Sequence, residues 1–187
     1  MNSGPSDDDW VFDPPMAAIN RSLQREFRDE AEEVEGIVAE SELRARTMSD
    51  VALEARNRGD ILSIGTERRV FKGRLLYAAG DFITVEGEGF QADINLAAVA
   101  YVRVVARGAN RGGEAGSSGP GTFEMRLLER KSPVDRVEIG YQMIEATLLG
   151  RIVTVGQDHI IVLSDQREEW TVPLTAISWV VRRRRSR

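Results

Sequence analysis

The chain has 187 residues, of which 42% are apolar and 29% are charged, values typical of a soluble globular protein. It contains no cysteine, which excludes disulfides, thiolate nucleophiles and thiolate metal sites, and it contains a single histidine. No apolar run approaches the roughly 20 residues that span a membrane, and the N-terminus lacks the pattern of a secretory signal. We therefore expect a cytoplasmic protein with no membrane partner, no metal and no cofactor.

Charge is distributed unevenly along the chain, whose net charge is −5. Residues 1–50 carry 13 acidic residues against 5 arginines, whereas five of the last six residues are arginines. A negative chain with a positive tip differs from a typical nucleic-acid-binding domain, which carries a basic face. The tip either contacts RNA phosphates, or aids solubility, or lies against an acidic helix. Its arginines are Arg182, Arg183, Arg184, Arg185 and Arg187.

Residues 1–15 are acidic and have neither a helical nor a strand period, which predicts a disordered tail. From residue 16 onward, apolar residues recur at a spacing of three or four, which predicts a helix over 16–40 with one apolar stripe. A second helix is predicted over 42–58, with Thr47 or Ser49 as an internal restart and Gly59 as its end.

The apolar stripe of the first helix must be covered by some other surface. That surface is the rest of the chain, a second copy in a homo-oligomer, or the groove of a protein partner. The two aromatic residues of the acidic tail either form a short docking peptide or are incidental. The residues that we expect to bind a protein partner are Ile19, Leu23, Phe27 and Val34, together with Trp10 and Phe12 of the tail.

The rest of the chain contains one pattern twice. Residues 73–85 (GRLLYAAGDFITV) align without a gap on residues 150–162 (GRIVTVGQDHIIV), with five of the thirteen positions identical. The likeness resumes between residues 94–102 and residues 172–180, after a single insertion. A duplicated unit is the simplest account of this pattern.

Both copies are rich in β-branched and aromatic residues between turn signals, which predicts short strands. In the first copy the predicted strands are 61–64, 69–79, 82–85, 90–94 and 100–105, with a turn at 65–67 and a short helical turn at 96–99. In the second copy a short helix over 122–130 precedes predicted strands at 137–139, 143–155, 159–163, 168–172 and 177–182.

A helix followed by five short, bent strands resembles the small β-barrels called Sm-like or SH3-like, including uncharacterised actinobacterial barrel proteins. The resemblance rests on glycine before a bent strand and an acidic turn residue, at Gly73 and Asp81 and again at Gly150 and Asp158. It implies an α+β fold with an N-terminal amphipathic helical segment followed by two tandem five-stranded barrels. The implied organisation is a tail at 1–15, a helical segment at 16–58, barrels at 60–105 and 122–182, a glycine-rich linker at 106–121 and a basic tail at 183–187.

The resemblance to Sm proteins also implies RNA binding, but the residues of that site do not carry over. In Sm proteins an asparagine shortly after the turn aspartate contacts the base. Here Asp81 is followed by Phe-Ile-Thr-Val and Asp158 by His-Ile-Ile-Val. The fold is therefore expected to carry over, while the RNA site is not.

The remaining candidate residues favour structural roles over catalysis. Asp81 and Asp158 are interpreted as turn residues that accept backbone hydrogen bonds, and His159 as a structural or surface residue. Tyr101 and Trp179 either fill a core or an interface, or stack on a base or a peptide. No nucleophile–base pair, phosphate loop or metal cluster can be named, so we expect no enzyme activity. The sequence favours a non-enzymatic adaptor or scaffold that binds protein partners, with an Sm-like RNA-binding regulator as the alternative.

Overall fold

The structure, a computed structural model, describes residues 27, 28, 34, 40, 41, 43–109, 119–132 and 134–183. Most of the described residues before Arg46 are helical, and the described residues from Thr47 onward form a separate compact unit. This compact unit is mostly β, with two short α-helices. No helix in the described part of the chain is both long and apolar enough to cross a membrane.

Helix α1 (Met48–Arg58) begins and ends where the sequence predicts a restart and a stop. The Thr47 hydroxyl accepts a hydrogen bond from the backbone N–H of Asp50, and the Asp50 carboxylate accepts one from the Thr47 N–H at 2.8 Å. This reciprocal arrangement satisfies two backbone donors at the helix start. Gly59 ends the helix with φ of 73°, a left-handed conformation that glycine adopts at little cost.

Ten strands and a second helix follow, and each half of the compact unit also has one 3-10 turn. The first half contains β1 (Ile61–Thr66), β2 (Val70–Ala79), β3 (Phe82–Gly87), β4 (Phe90–Asn95), a 3-10 turn at Leu96–Ala98 and β5 (Val99–Ala106). The second half contains α2 (Phe123–Arg130), β6 (Val137–Tyr141), β7 (Thr147–Val155), β8 (His159–Ser164), β9 (Glu169–Pro173), a 3-10 turn at Leu174–Ala176 and β10 (Ile177–Arg183).

The predicted strands are all present, and all but one of their ends lie within two residues of the prediction. Gly65 was predicted to lie in a turn but lies inside β1, because its missing Cβ makes room for the ring of Tyr101 on the neighbouring strand. Residues 143–146 were predicted to begin a strand but lie before β7. The reason is that β6 extends as far as Tyr141, so these residues form the connection between the two strands.

All ten strands lie in one antiparallel sheet, in the order β5-β1-β2-β3-β4-β10-β6-β7-β8-β9. In each half the fifth strand pairs with the first, so β5 pairs with β1 and β10 pairs with β6. The last strand, β10, also pairs with β4 of the first half. We call this β4–β10 pairing the seam. Strands β5 and β9 lie at the two ends of the sheet and have one partner strand each.

The duplication seen in the sequence is repeated in the strand register. Gly73 lies opposite Leu62 on β1, and its counterpart Gly150 lies opposite Val137 on β6. The β2–β3 pairing shifts register after Leu75, and the β7–β8 pairing shifts at the equivalent place after Ile152. A bulge at the same position in both halves shows that the two copies share backbone geometry as well as sequence.

Two hydrophobic cores lie on either side of the seam, and each contains side chains from the other half. The first core is built mainly from the first half but also contains Trp179 and Val181 of β10. The second core is built mainly from the second half but also contains Phe82 of β3. Burying a phenylalanine such as Phe82 completely contributes about 1.5–3 kcal/mol. The two copies therefore pack against each other across the seam.

Candidate protein-binding surfaces

A buried ionic cluster joins the two halves at the seam. The Asp93 carboxylate on β4 is 1% exposed and accepts hydrogen bonds from Arg126 Nε at 2.9 Å and from Arg130 Nε at 2.5 Å. The Thr84 hydroxyl donates a third hydrogen bond at 2.7 Å. Both arginines belong to α2 of the second half. Burial lowers the pKa of Arg126, but the charges of Asp93 and Glu129 and the hydrogen bonds to them together outweigh burial and raise the pKa above its usual value. The cluster is a structural link with its charges paired.

Trp179 is the largest buried side chain at the seam. It is 2% exposed and lies directly opposite Gly140, where an added Cβ would come within 2.0 Å of the indole ring. The guanidinium carbon of Arg69 lies 4.7 Å from the centre of the Trp179 ring, a cation–π contact, and Arg69 Nη1 pairs with Glu138 at 2.9 Å. The burial of Trp179 confirms its interpretation as a core or interface residue.

Tyr101 occupies the equivalent position on β5, but its environment differs. It lies opposite Gly65, where an added Cβ would come within 2.1 Å of the phenol ring, so the glycine–aromatic pair is the same in both halves. Tyr101 is nevertheless 47% exposed, and Val104 and Val105 are also exposed. We call the exposed surface of Tyr101, Val104 and Val105 the β5 edge. Apolar side chains grouped on an edge strand are typical of a contact surface.

The opposite end of the sheet carries an exposed tryptophan. Trp170 on β9 is 46% exposed, and its indole N–H donates a hydrogen bond to Glu168 at 3.3 Å. Sequence reasoning missed this residue, because its counterpart in the first copy is Ala92 and no repeated aromatic draws attention to it. A comparison of the two copies would have identified it, because a tryptophan stands in a short predicted strand where the other copy has alanine. We call the outward side of β9, Glu169–Pro173, the β9 edge.

The two turn aspartates have different partners. Asp81 Oδ1 accepts a hydrogen bond from the backbone N–H of Phe123, the first residue of α2, at 2.7 Å. The prediction that this side chain accepts a backbone hydrogen bond is confirmed, although the donor lies across the seam and not in the same turn. Asp158 Oδ1 lies 2.7 Å from Nδ1 of His159, and this hydrogen bond lowers the pKa of the Asp158 carboxyl.

Two of the residues predicted to bind a protein partner are described by the structure. Phe27 and Val34 are both helical, and they are 68% and 59% exposed. Both exposures agree with the predicted contact role, while the apolar stripe that would join the two residues stays a prediction. The other predicted contact residues, Trp10, Phe12, Ile19 and Leu23, lie outside the described residues.

Two of the arginines predicted to contact RNA are described, and both have acidic neighbours. Arg182 Nη1 lies 3.5 Å from the Asp135 carboxylate, and Arg183 Nη2 lies 3.7 Å from the Glu138 carboxylate. These acids neutralise much of the local positive charge. The remaining arginines, Arg184, Arg185 and Arg187, lie outside the described residues.

Among the described residues, no group of three or more histidine, aspartate or glutamate side chains is arranged to hold a metal ion. The candidate functional surfaces are the exposed apolar side chains of the helical segment and of the two sheet edges. The resemblance to small barrels stays a prediction, because the chain matches no model of a known protein family and no curated protein.

Proposed function

We propose that the chain is a non-enzymatic adaptor or scaffold that binds protein partners through its N-terminal helical segment and through exposed surfaces of its sheet. The observation that carries this proposal is the exposure of two helical apolar residues, Phe27 and Val34, for which the sequence predicts one apolar stripe. Exposed apolar side chains that form a stripe are typical of a surface that another protein covers.

The charge around the stripe indicates the chemistry of the partner. Residues 1–50 carry 13 acidic residues against 5 arginines. A partner that receives this helix therefore needs an apolar groove with basic residues along its rim. Such a partner would bind faster at low ionic strength, because salt screens the attraction between exposed charges of opposite sign.

We further propose that each half of the sheet is a small five-stranded barrel of the Sm-like or SH3-like kind. Two features support this finer description. The fifth strand of each half returns to pair with the first, and a helix capped by a threonine precedes each set of strands, at Thr47 and at Thr122. This architecture supplies rigid surfaces but does not by itself fix an activity.

The alternative, an RNA-binding regulator, has weaker support, since Arg182 and Arg183 already lie near carboxylates. Fluorescence anisotropy with mixed-sequence single-stranded RNA at low and physiological salt would test it. The control variant replaces all five arginines of the C-terminal run with glutamine. RNA binding at physiological salt that persists in this variant would favour the alternative. Loss of binding with the arginines or with modest salt would indicate nonspecific attraction.

The scaffold proposal is tested by comparing protein capture by three forms of the full chain. The wild type is compared with a Phe27→Asp, Val34→Asp double variant and with Met143→Asp, a matched control at an apolar residue that is 87% exposed elsewhere. We expect specific proteins to be cross-linked and identified by mass spectrometry with the wild type and the control, and lost with the double variant. Equal recovery with all three forms would contradict the proposal.

A further inference from the structure

We propose that copies of this chain associate head to tail, with the β5 edge of one copy pairing with the β9 edge of the next in the register of the seam. This inference goes beyond the scaffold role, because it does not require any partner of the helical segment. It commits to one occupant for both sheet ends, namely a second copy of the same chain.

The topology of the seam leaves one strand of each kind at the ends of the sheet. At the seam, the fifth strand of one half pairs with the fourth strand of the other half. Each half has one strand of each kind, and a single chain uses only β10 and β4 in this way. The two strands left over, β5 and β9, are the counterparts of β10 and β4, and they form the two ends of the sheet. Each chain therefore presents both complementary sides of a contact that it already makes internally.

Equivalent side chains at the seam and at the β5 edge differ in burial. Trp179 is 2% exposed because the first half covers it, whereas Tyr101 is 47% exposed and, among the described residues, no strand lies on the outer side of β5. The same holds for the helices, since Phe123 at the start of α2 is buried and Met48 at the start of α1 is exposed. Pairing β5 with β9 of another copy would cover both Tyr101 and Met48.

A turn aspartate that accepts a hydrogen bond from the start of a helix also has a counterpart at the ends of the sheet. At the seam, Asp81 accepts the N–H of Phe123. The counterparts are Asp158, whose side chain is 90% exposed, and Met48 at the start of α1. In the head-to-tail contact, Asp158 of one copy would face the N-terminal end of α1 in the next, where a negative charge is stabilised by the helix dipole.

The buried ion pair at the seam has uncharged counterparts at the two sheet ends. Aligning the capping threonines of the two helices makes Val51 the counterpart of Arg126, while the strand register makes Thr171 the counterpart of Asp93. Both members of the ion pair are therefore replaced by uncharged residues at the two sheet ends. Because the replacement is matched on both sides, no unpaired charge would be buried at this pair of positions.

The seam fixes the register of the proposed contact. At the seam, Trp179 lies opposite Ile94 and Arg182 lies opposite Gln91. The corresponding pairs between copies are Tyr101 with Val172, and Val104 with Glu169. Because the contact joins two different edges, it can repeat from copy to copy, giving a ring if the rotation closes and a longer array if it does not.

Disulfide cross-linking tests this register directly, since the chain has no cysteine of its own. Val104→Cys and Glu169→Cys are made in separate full-length chains, which are then mixed under mild oxidation. Directly opposed residues of antiparallel strands have Cα atoms about 4.5–5.5 Å apart, within the range that a disulfide bridges. We expect a cross-linked pair of chains from the mixture and little from either variant alone. Glu88→Cys, at an exposed turn away from both edges, is the matched control for Glu169→Cys.

The mass in solution provides an independent measurement. We expect sedimentation equilibrium of the wild type to give masses above twice 20.8 kDa that rise with concentration. Tyr101→Asp should shift the mass towards that of one chain, while Met143→Asp should leave it unchanged. A chain that stays monomeric at all concentrations and gives no mixed disulfide would overturn the proposal. So would a Val104→Cys chain that cross-links only to itself, because that result indicates a symmetric β5–β5 contact.

Discussion

Strands β5 and β10 are copies of one strand placed in two different environments. On β10 the aromatic residue Trp179 is covered on both sides, whereas on β5 its counterpart Tyr101 is half exposed. The local structure beneath the two rings is the same, since each lies opposite a glycine at which an added Cβ would collide with the ring. The comparison teaches that the neighbouring half, and not the strand itself, decides whether this aromatic residue supports the fold.

The largest expected effect comes from truncating the two aromatics. We expect Trp179→Ala to lower the free energy of unfolding by about 4 kcal/mol, because it removes a fully buried side chain and leaves a cavity. Tyr101→Ala should cost less than about 1 kcal/mol, since half of that side chain is in solvent. Urea unfolding followed by far-UV circular dichroism measures both. Equal losses in the free energy of unfolding of the two variants would show that Tyr101 is buried in solution as Trp179 is.

Removing the buried carboxylate at the seam is the next largest effect. Asp93→Ala leaves the buried Arg130 without the Asp93 counter-charge and leaves Arg126 only its pair with the half-exposed Glu129, and we expect a loss of about 3 kcal/mol. Thr171→Ala, at the counterpart on the β9 edge, should change stability by less than about 0.5 kcal/mol. Chemical denaturation of the two variants and the wild type provides the measurement. A small loss in the free energy of unfolding for Asp93→Ala would mean that the two arginines reach solvent when the aspartate is absent.

Adding one methyl group under each ring sharpens the comparison. Gly140→Ala should cost about 1–3 kcal/mol, because Trp179 is enclosed and cannot move away from the new Cβ. Gly65→Ala should cost less, because the exposed ring of Tyr101 can rotate towards solvent. Melting temperatures of the two variants, recorded by differential scanning calorimetry, test this order. A larger cost for Gly65→Ala would contradict it.

The smallest expected effect concerns two aspartates just before β1 and β6. Asp60 is fully buried and accepts hydrogen bonds from the Gly108 N–H at 2.8 Å and from Arg58 Nε at 3.0 Å. Burial raises the pKa of the Asp60 carboxyl, but these hydrogen bonds and the Arg58 charge outweigh burial, so the pKa lies below its usual value of 3.8. Its counterpart Asp135 forms only a half-exposed pair with Arg182 at 3.5 Å.

A lowered pKa in the folded state means that the Asp60 contribution is present above about pH 3.8 and is lost as the pH falls through the folded-state pKa. We therefore expect Asp60→Asn to be less stable than the wild type at pH 6, with a difference that is smaller at pH 2.5. Asp135→Asn should track the wild type at both values. Urea titrations at the two pH values test this difference. A constant gap between Asp60→Asn and the wild type would argue against a charge-dependent role.

The strands and the helix boundaries could be predicted from the sequence because their signals are local. Thr47 and Gly59 carry the chemistry of a helix start and stop, and Thr122 carries that of a second start. Gly65 was misread because a glycine that gives space to a ring across the strand looks the same in sequence as a glycine in a turn. The difference depends on a partner that lies 36 residues further along the chain.

The seam itself could not be predicted, because it depends on a pairing between strands that are far apart in the chain. Nothing near Asp93 indicates that two arginines from a later helix will neutralise it. Of the predicted contact residues, Phe27 and Val34 are exposed as a binding role requires. Trp170 was not predicted as a contact residue, because its exposure depends on the position of β9 at the end of the sheet and not on its neighbours in sequence.

The position of β10 in the chain has a consequence for folding kinetics. Asn95 at the end of β4 is 82 positions before its neighbour Ile177 at the start of β10. During synthesis, β4 cannot pair with β10 until all of these residues have been made. Phe82 likewise cannot be buried in its core until the second half has been synthesised. Contacts between residues so far apart in the chain form slowly, on the order of milliseconds to seconds. A nascent chain that stops in the linker therefore exposes the surface most prone to aggregation, and the cell is expected to protect it with chaperones until β10 arrives.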